Sequence, residues 1–109
     1  MVMTQFCILF CSPLLPVVDP DYFDVYHIFA IRHKRRDELK KYLLDKMIKT
    51  EIHYPVAPHR QVALNKILAN EVYPIAEEIH ETILSLPISY CHSEDDIYRV
   101  IEAMNNFNG

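Results

Sequence analysis

Glycine is almost missing from this chain: one occurs in 109 residues, Gly109, at the very end. A loop that cradles phosphate with backbone N–H groups relies on glycine for its tight turn and close approach. A P-loop and a dinucleotide fingerprint are therefore both excluded. Any contact to a nucleotide or to a cofactor phosphate has to come from side chains or from another domain. Excess positive charge is lacking too. The net charge is −4, so no basic field is available to hold nucleic acid. The run His33-Lys34-Arg35-Arg36 passes directly into Asp37 and Glu38 and reads as the polar start of a helix. Long apolar runs are absent as well. Phe6 to Val18 is apolar, but Pro13 and Pro16 interrupt it, and it is too short to span a bilayer. No Lys or Arg precedes it and no small-residue cleavage site follows it, so no membrane partner and a cytoplasmic location are expected. Phe6–Phe10 is read as a strand or an ill-ordered start. Cysteine is scarce and odd in number, Cys7, Cys11 and Cys91, which argues against a closed disulfide framework. Taken with His92 these thiols lack the spacing of a zinc knuckle, and buried free thiols are expected instead.

What is present describes one domain with a single modest core. Half the residues are hydrophobic and 24% are charged, the balance of an ordinary soluble globular chain. Asp24–His33 is rich in β-branched and aromatic residues and alternates, predicting a first strand. Arg36–Met47 repeats Leu39, Tyr42, Leu43 and Met47 at helical spacing, with Asp37 and Glu38 in its first turn. Lys49–Tyr54 alternates again and stops at Pro55, predicting a second strand. A short helix is expected over Arg60–Leu68, carrying Val62, Leu64, Ile67 and Leu68. Pro74 suits the first position of another, which would bury Ile75, Ala76, Ile79 and Ile83 and leave Glu77, Glu78 and Glu81 wet. Leu84–Ser89 reads as a third strand that Pro87 places at an edge or cuts short. Ser93 with Asp96 marks a last helix, with Ile97, Val100, Ile101 and Met104 inward and fraying over Asn105–Gly109. The fold class is α+β: a small three-stranded sheet with packed helices.

The segment Thr50–Gln61, TEIHYPVAPHRQ, gathers His53, Tyr54, His59, Arg60 and Gln61 around Pro55 and Pro58. Prolines fix φ and remove donors, so this is a stiff loop leaving a strand, a place where binding residues tend to sit. A solvated loop merely punctuated by prolines accounts for the composition as well. His27, His33, His80 and His92 share no metal spacing, and no metal site is expected. His27 and His80 are read as packing residues, and the carboxylates Glu77, Glu78 and Glu81 as a solvated face.

Four ordered blocks, HIFAIRHKRRDELKKYL, IKTEIHYPVAPHRQ, YPIAEEI and LSLPIS, closely resemble the C-terminal small domain of the DegT/DnrJ/StrS sugar aminotransferases. The resemblance runs from about Tyr22 to Phe107. It implies the minor lobe of the aspartate-aminotransferase fold (fold type I) of pyridoxal-phosphate enzymes. Members of that family transfer an amino group from glutamate to a keto-sugar carried on a nucleotide, and their products feed lipopolysaccharide, capsule and antibiotic sugars. In the family the loop matching His53–Gln61 faces the cleft of the dimer. By that resemblance Tyr54, His59, Gln61 and His53 are the candidate substrate-binding residues. His59 could donate to a phosphate or sugar oxygen or could simply be packed; His53 reads as a strand-end histidine satisfied by backbone, and Gln61 as a cap on the following helix. Met47 stands where the family commonly turns on glycine; a left-handed turn there would be strained with methionine, so a turn of changed shape is expected. Tyr73 replaces a usual phenylalanine.

The resemblance also implies what lies elsewhere. The family's cofactor lysine, the carboxylate facing the pyridine nitrogen and the phosphate cup belong to a large N-terminal domain. None of Lys34, Lys40, Lys41, Lys46, Lys49 and Lys66 matches the family's lysine motif. No catalytic residue and no cofactor held by this chain alone are expected; pyridoxal phosphate belongs to the parent family. Residues 1–20 form an atypical segment and 21–109 the domain proper, which suggests an altered start or a fragment. The expected partners are the missing large domain, a nucleotide sugar in the full-length enzyme, and a second copy through apolar surface left uncovered. The alternative reading is a non-catalytic binding or assembly module. A small hydrolase lacks any nucleophile motif.

Overall fold

The computed structural model describes residues 13–17 and 19–108. The expected strand Phe6–Phe10 and two of the three cysteines lie outside that range. Two antiparallel strands form the sheet among the described residues: β1, Phe29–Arg32, and β2, Ile83–Leu86. Phe29 pairs with Leu86 and Ile31 with Leu84, so these four side chains share one face, and all are buried. On that face lie helix α1, Arg36–Asp45, through Leu39 and Leu43, and helix α4, Glu94–Asn105, through Val100, Ala103 and Met104. The opposite face carries Ala30, Arg32 and Ser85. It receives helix α3, Pro74–Thr82, where Arg32 Nε donates to Thr82 Oγ1 at 3.0 Å and Arg32 Nη2 meets Glu78 Oε1 at 2.5 Å.

The expected three-stranded sheet is corrected to two strands with a single bridge on each side. Leu14 exchanges both backbone bonds with Arg32 at 2.8 and 3.0 Å, and Glu51 does the same with Ser85 at 3.1 and 2.7 Å. The Lys49–Tyr54 ladder cannot extend beyond that pair for a local reason. The next hydrogen-bonded position towards one end falls on Pro87, which has no N–H. Towards the other end it falls on Ile83, whose N–H closes the helix onto the Ile79 carbonyl and whose carbonyl accepts from Arg36 Nη1 at 3.3 Å. The first strand is also shorter than Asp24–His33, because Tyr26 has φ 47° and breaks the extended backbone.

Helix ends follow their local chemistry. α1 stops at Asp45, and Met47 takes φ 63°. Ile48 N–H then reaches the Leu43 carbonyl at 2.8 Å and Met47 N–H the Leu44 carbonyl at 2.8 Å, the paired bonds of a Schellman ending. α4 opens with a reciprocal capping box: Asp96 N–H to Ser93 Oγ at 3.2 Å and Ser93 N–H to Asp96 Oδ2 at 2.9 Å. Its end does not fray as expected. Phe107 turns back into the core, its ring 5.2 Å from Tyr42 and 5.5 Å from His33.

Two helical expectations are corrected. The Arg60–Leu68 region is a pair of 3-10 turns, Pro58–Arg60 and Val62–Leu64, followed by a four-residue helix α2, Asn65–Leu68, in which Val62 and Ile67 are exposed. α3 begins at Pro74 as expected, yet buries none of its side chains fully, and Ile75 is exposed. No helix among the described residues is long and apolar enough to cross a membrane.

Candidate substrate-facing loop

The proline-stiffened segment between Ile52 and Gln61 lies across the sheet face opposite the main core and is fastened at both ends. At its start His53 Nδ1 lies 2.9 Å from Ser85 Oγ, which gives that buried β2 serine its side-chain partner. His53 also meets the Tyr54 ring edge-on at 5.5 Å. The Tyr54 carbonyl accepts from His80 Nδ1 of α3 at 2.5 Å. The Tyr54 ring itself stays exposed, with Val56 half open beside it in sequence.

At the far end Pro58 starts the 3-10 turn and drives His59 inward, where it is 4% exposed. A buried imidazole needs a polar partner. His59 finds Glu77, whose Oε1 takes Nε2 at 2.8 Å, and its ring meets Tyr73 edge-on at 4.9 Å. Arg60 Nη2 donates to the same Glu77 oxygen at 2.9 Å. The bond from His59 first, and then that from Arg60, holds the Glu77 carboxyl below its usual value of 4.5. Gln61 is exposed; its N–H donates to the Pro58 carbonyl at 3.2 Å, and its side chain does not cap the turn that follows.

The four candidates are therefore neighbours along one loop but not equals in exposure. Tyr54 and Gln61 present side chains to the outside, His53 is half-buried on Ser85, and His59 is enclosed on Glu77. Sequence reasoning missed Glu77 and His80 as the residues that fasten the loop. The reading of a wet face holds for Glu78 and Glu81, both exposed, with Glu78 also pairing with Arg32, and is corrected for Glu77, which is half-buried and holds the loop. The available signal was the spacing of Glu77 and His80, three apart and so on one helix face, opposite a loop bearing a histidine. His27 is exposed instead of packed, and Cys91 is a free, exposed thiol instead of a buried one.

None of the six lysines is buried. Lys40 Nζ donates to the Thr50 carbonyl at 3.2 Å, and Lys46 Nζ sits 5.0 Å over the Tyr42 ring. Lys34, Lys41 and Lys66 are exposed. Lys49 lies 3.8 Å from Glu51 and lines an open cavity of about 230 Å³ with His92, Asp96 and Arg99. That cavity adjoins the first turn of α4, which carries Glu94, Asp95 and Asp96. Among the described residues no three metal-ligating side chains cluster.

A second surface feature adjoins the loop. Val72, Tyr73, Pro74, Ile75, Ala76 and Ile79 line an open, almost wholly apolar depression of about 400 Å³ on α3.

The model of the DegT/DnrJ/EryC1/StrS aminotransferase family matches residues 12–105. The chain belongs to this family and corresponds to its small C-terminal domain. It is 42% identical over 93 residues to the dTDP-3-amino-3,6-dideoxy-alpha-D-galactopyranose transaminase of Aneurinibacillus thermoaerophilus, covering 85% of this chain and 25% of that protein. It is 38% identical over 98 residues to the dTDP-3-amino-3,4,6-trideoxy-alpha-D-glucose transaminase of Streptomyces venezuelae, with the same coverage. Among solved structures, S. venezuelae DesV in complex with a ketimine intermediate superposes with a TM-score of 0.80 at 38% identity, over 85% of this chain and 25% of that one. NtdA from Bacillus subtilis, solved with bound cofactor PMP, shares the fold with a TM-score of 0.73 at 24% identity, over 84% of this chain and 22% of that one. The chain spans about a quarter of the length of the curated relatives it matches.

Proposed function

We propose that this chain forms one wall of the substrate cleft of a sugar-nucleotide aminotransferase, with the cofactor and its lysine supplied by a large domain outside it. The reaction would move an amino group from glutamate to a keto-sugar nucleotide, for the amino sugars of lipopolysaccharide, capsule or related products. Support comes from the relatives' activities. The carrying observation is the loop: His53, the Tyr54 carbonyl and His59 are each held from behind, and Tyr54 and Gln61 project outward. A tyrosine ring with its hydroxyl and a primary amide suit a base or sugar with hydroxyl groups. His59 and His53 act in this reading by shaping the loop. The apolar depression on α3 would be covered in the assembled protein, by the large domain or a second copy.

The test is a graft of residues 13–108 in place of the matching quarter of the A. thermoaerophilus transaminase. The graft is expected to retain transaminase activity. Within it, Tyr54→Phe and Gln61→Ala should each raise KM for the sugar nucleotide by roughly tenfold, while kcat changes by less than about threefold. A folded, cofactor-loaded graft whose KM ignores both substitutions would refute the assignment of the loop.

A further inference from the structure

We infer that Glu77 is the positioning residue that sets the Tyr54–Gln61 loop in its outward-presenting shape; this rests on the substrate-facing reading of that loop. Pro55 and Pro58 stiffen the segment internally, so its orientation is decided by where its ends are fastened. The near end is held by His53 on Ser85 and by the Tyr54 carbonyl on His80, both bonds between an imidazole and an uncharged oxygen. The far end is held by one carboxylate oxygen, which gathers His59 Nε2 and Arg60 Nη2 at 2.8 and 2.9 Å. The two contacts are not equal. Arg60 is about half exposed, where water competes and salt screens. His59 is enclosed, so water does not compete for its bond, and exchanging the charged acceptor for a neutral one weakens that bond without a solvent substitute.

Helix α3 places the carboxylate for this task. Pro74 starts the helix, Glu77 falls in its first turn, and Glu77 N–H donates to the Tyr73 carbonyl at 2.9 Å. The residue that rests on the His59 ring is thus bonded directly to the residue that binds its nitrogen. Glu78, the next residue, points to Arg32 on the sheet and supplies an internal control.

The experiment is amide hydrogen exchange on the intact chain near neutral pH, read residue by residue. Glu77→Gln should speed exchange of the amides from Ala57 to Leu64 by roughly tenfold or more, while those of β1 and β2 keep their protection. Glu78→Gln should leave the loop amides within about twofold, and Arg60→Ala likewise, because the buried histidine carries the larger share. His59→Asn, which removes the other partner, should match Glu77→Gln in the same amides. Loop exchange unchanged in Glu77→Gln would overturn the inference. So would a rise spread evenly over β1, β2 and the loop, since that reports global destabilisation only. The result is read separately from the graft: a loop that Glu77 holds but whose Tyr54 and Gln61 do not move KM would sink the proposed function and leave Glu77 only the fastening of the loop.

Discussion

At the residue scale, Met47 shows how a single side chain can sit against its own conformational preference. Its φ of 63° lies in the left-handed region, where a Cβ crowds the following carbonyl, and its side chain is 83% exposed and gains little from packing. The two backbone bonds around it complete the end of α1, so the geometry is needed and the residue is not. Met47→Gly is expected to stabilise the fold by about 1 kcal/mol, seen as a rise in Tm of roughly 4–8 °C by calorimetry. A fall in Tm would show that the methionine contributes contacts the structure does not reveal. Phe107 is the opposite case. It is buried against Tyr42, His33 and the Arg35 guanidinium, 5.7 Å from its ring. Phe107→Ala should cost about 3–5 kcal/mol in denaturant unfolding; a change below about 1 kcal/mol would contradict its place in the core. The resemblance marked a glycine position at Met47 and led to the expectation of an altered turn; the structure corrects this, keeping the left-handed turn with the methionine in it. Phe107 was not legible, because one aromatic beyond the last helical repeat carries no period. Glu77 was hidden for a related reason. Three nearby glutamates read as solvent-facing until a loop distant in sequence docks on one of them, and only packing says which.

At the element scale, the helices with strong end signals were read closely and the strands were not. Ser93 and Asp96 announced α4, and Pro74 announced α3, because caps and first-turn prolines act locally. Strand length depends on which backbone groups remain available, and Tyr26, Ile83 and Pro87 remove them at β1, at β2 and beyond it. The Ser93 cap makes a direct prediction. Ser93→Ala should lower stability by about 1 kcal/mol and weaken protection in the first turn of α4; an unchanged unfolding curve would deny the cap any role. Three such element ends also set the response to acid. The carboxyl of Glu77 is held low by His59 and Arg60, that of Asp96 by Ser93, and that of Glu38 by Arg35. Each folded form binds its proton less readily than the unfolded chain. Their stabilisation is therefore complete above the usual carboxylate values, 3.8 for Asp96 and 4.5 for the two glutamates, and is lost as pH falls through the lower folded values. Unfolding followed from pH 7 to pH 2 should show stability declining below about pH 4.5, with a shallower decline in Glu77→Gln. An identical slope in the variant would mean that Glu77 titrates as it does unfolded.

At the scale of the whole molecule, polarity is distributed unequally over the two sheet faces. One sheet face has a closed core, and the other carries a fastened loop and an apolar depression along α3. Exposed apolar surface of that kind promotes association. Sedimentation of this chain should therefore show self-association that Ile75→Glu with Ile79→Lys suppresses; a monomer at high concentration would leave the depression without a role in assembly. The α+β class and the family were legible from four blocks of sequence, because those blocks preserve the strand–loop–helix order on which the lobe is built. The central claim, that the chain shapes a cleft whose cofactor chemistry lies elsewhere, is tested most directly by incubating it with pyridoxal phosphate, reducing with borohydride and mapping the modified peptides. The account predicts only scattered, substoichiometric modification of exposed lysines. A single lysine labelled in near-stoichiometric yield, with a matching absorption band before reduction, would contradict it.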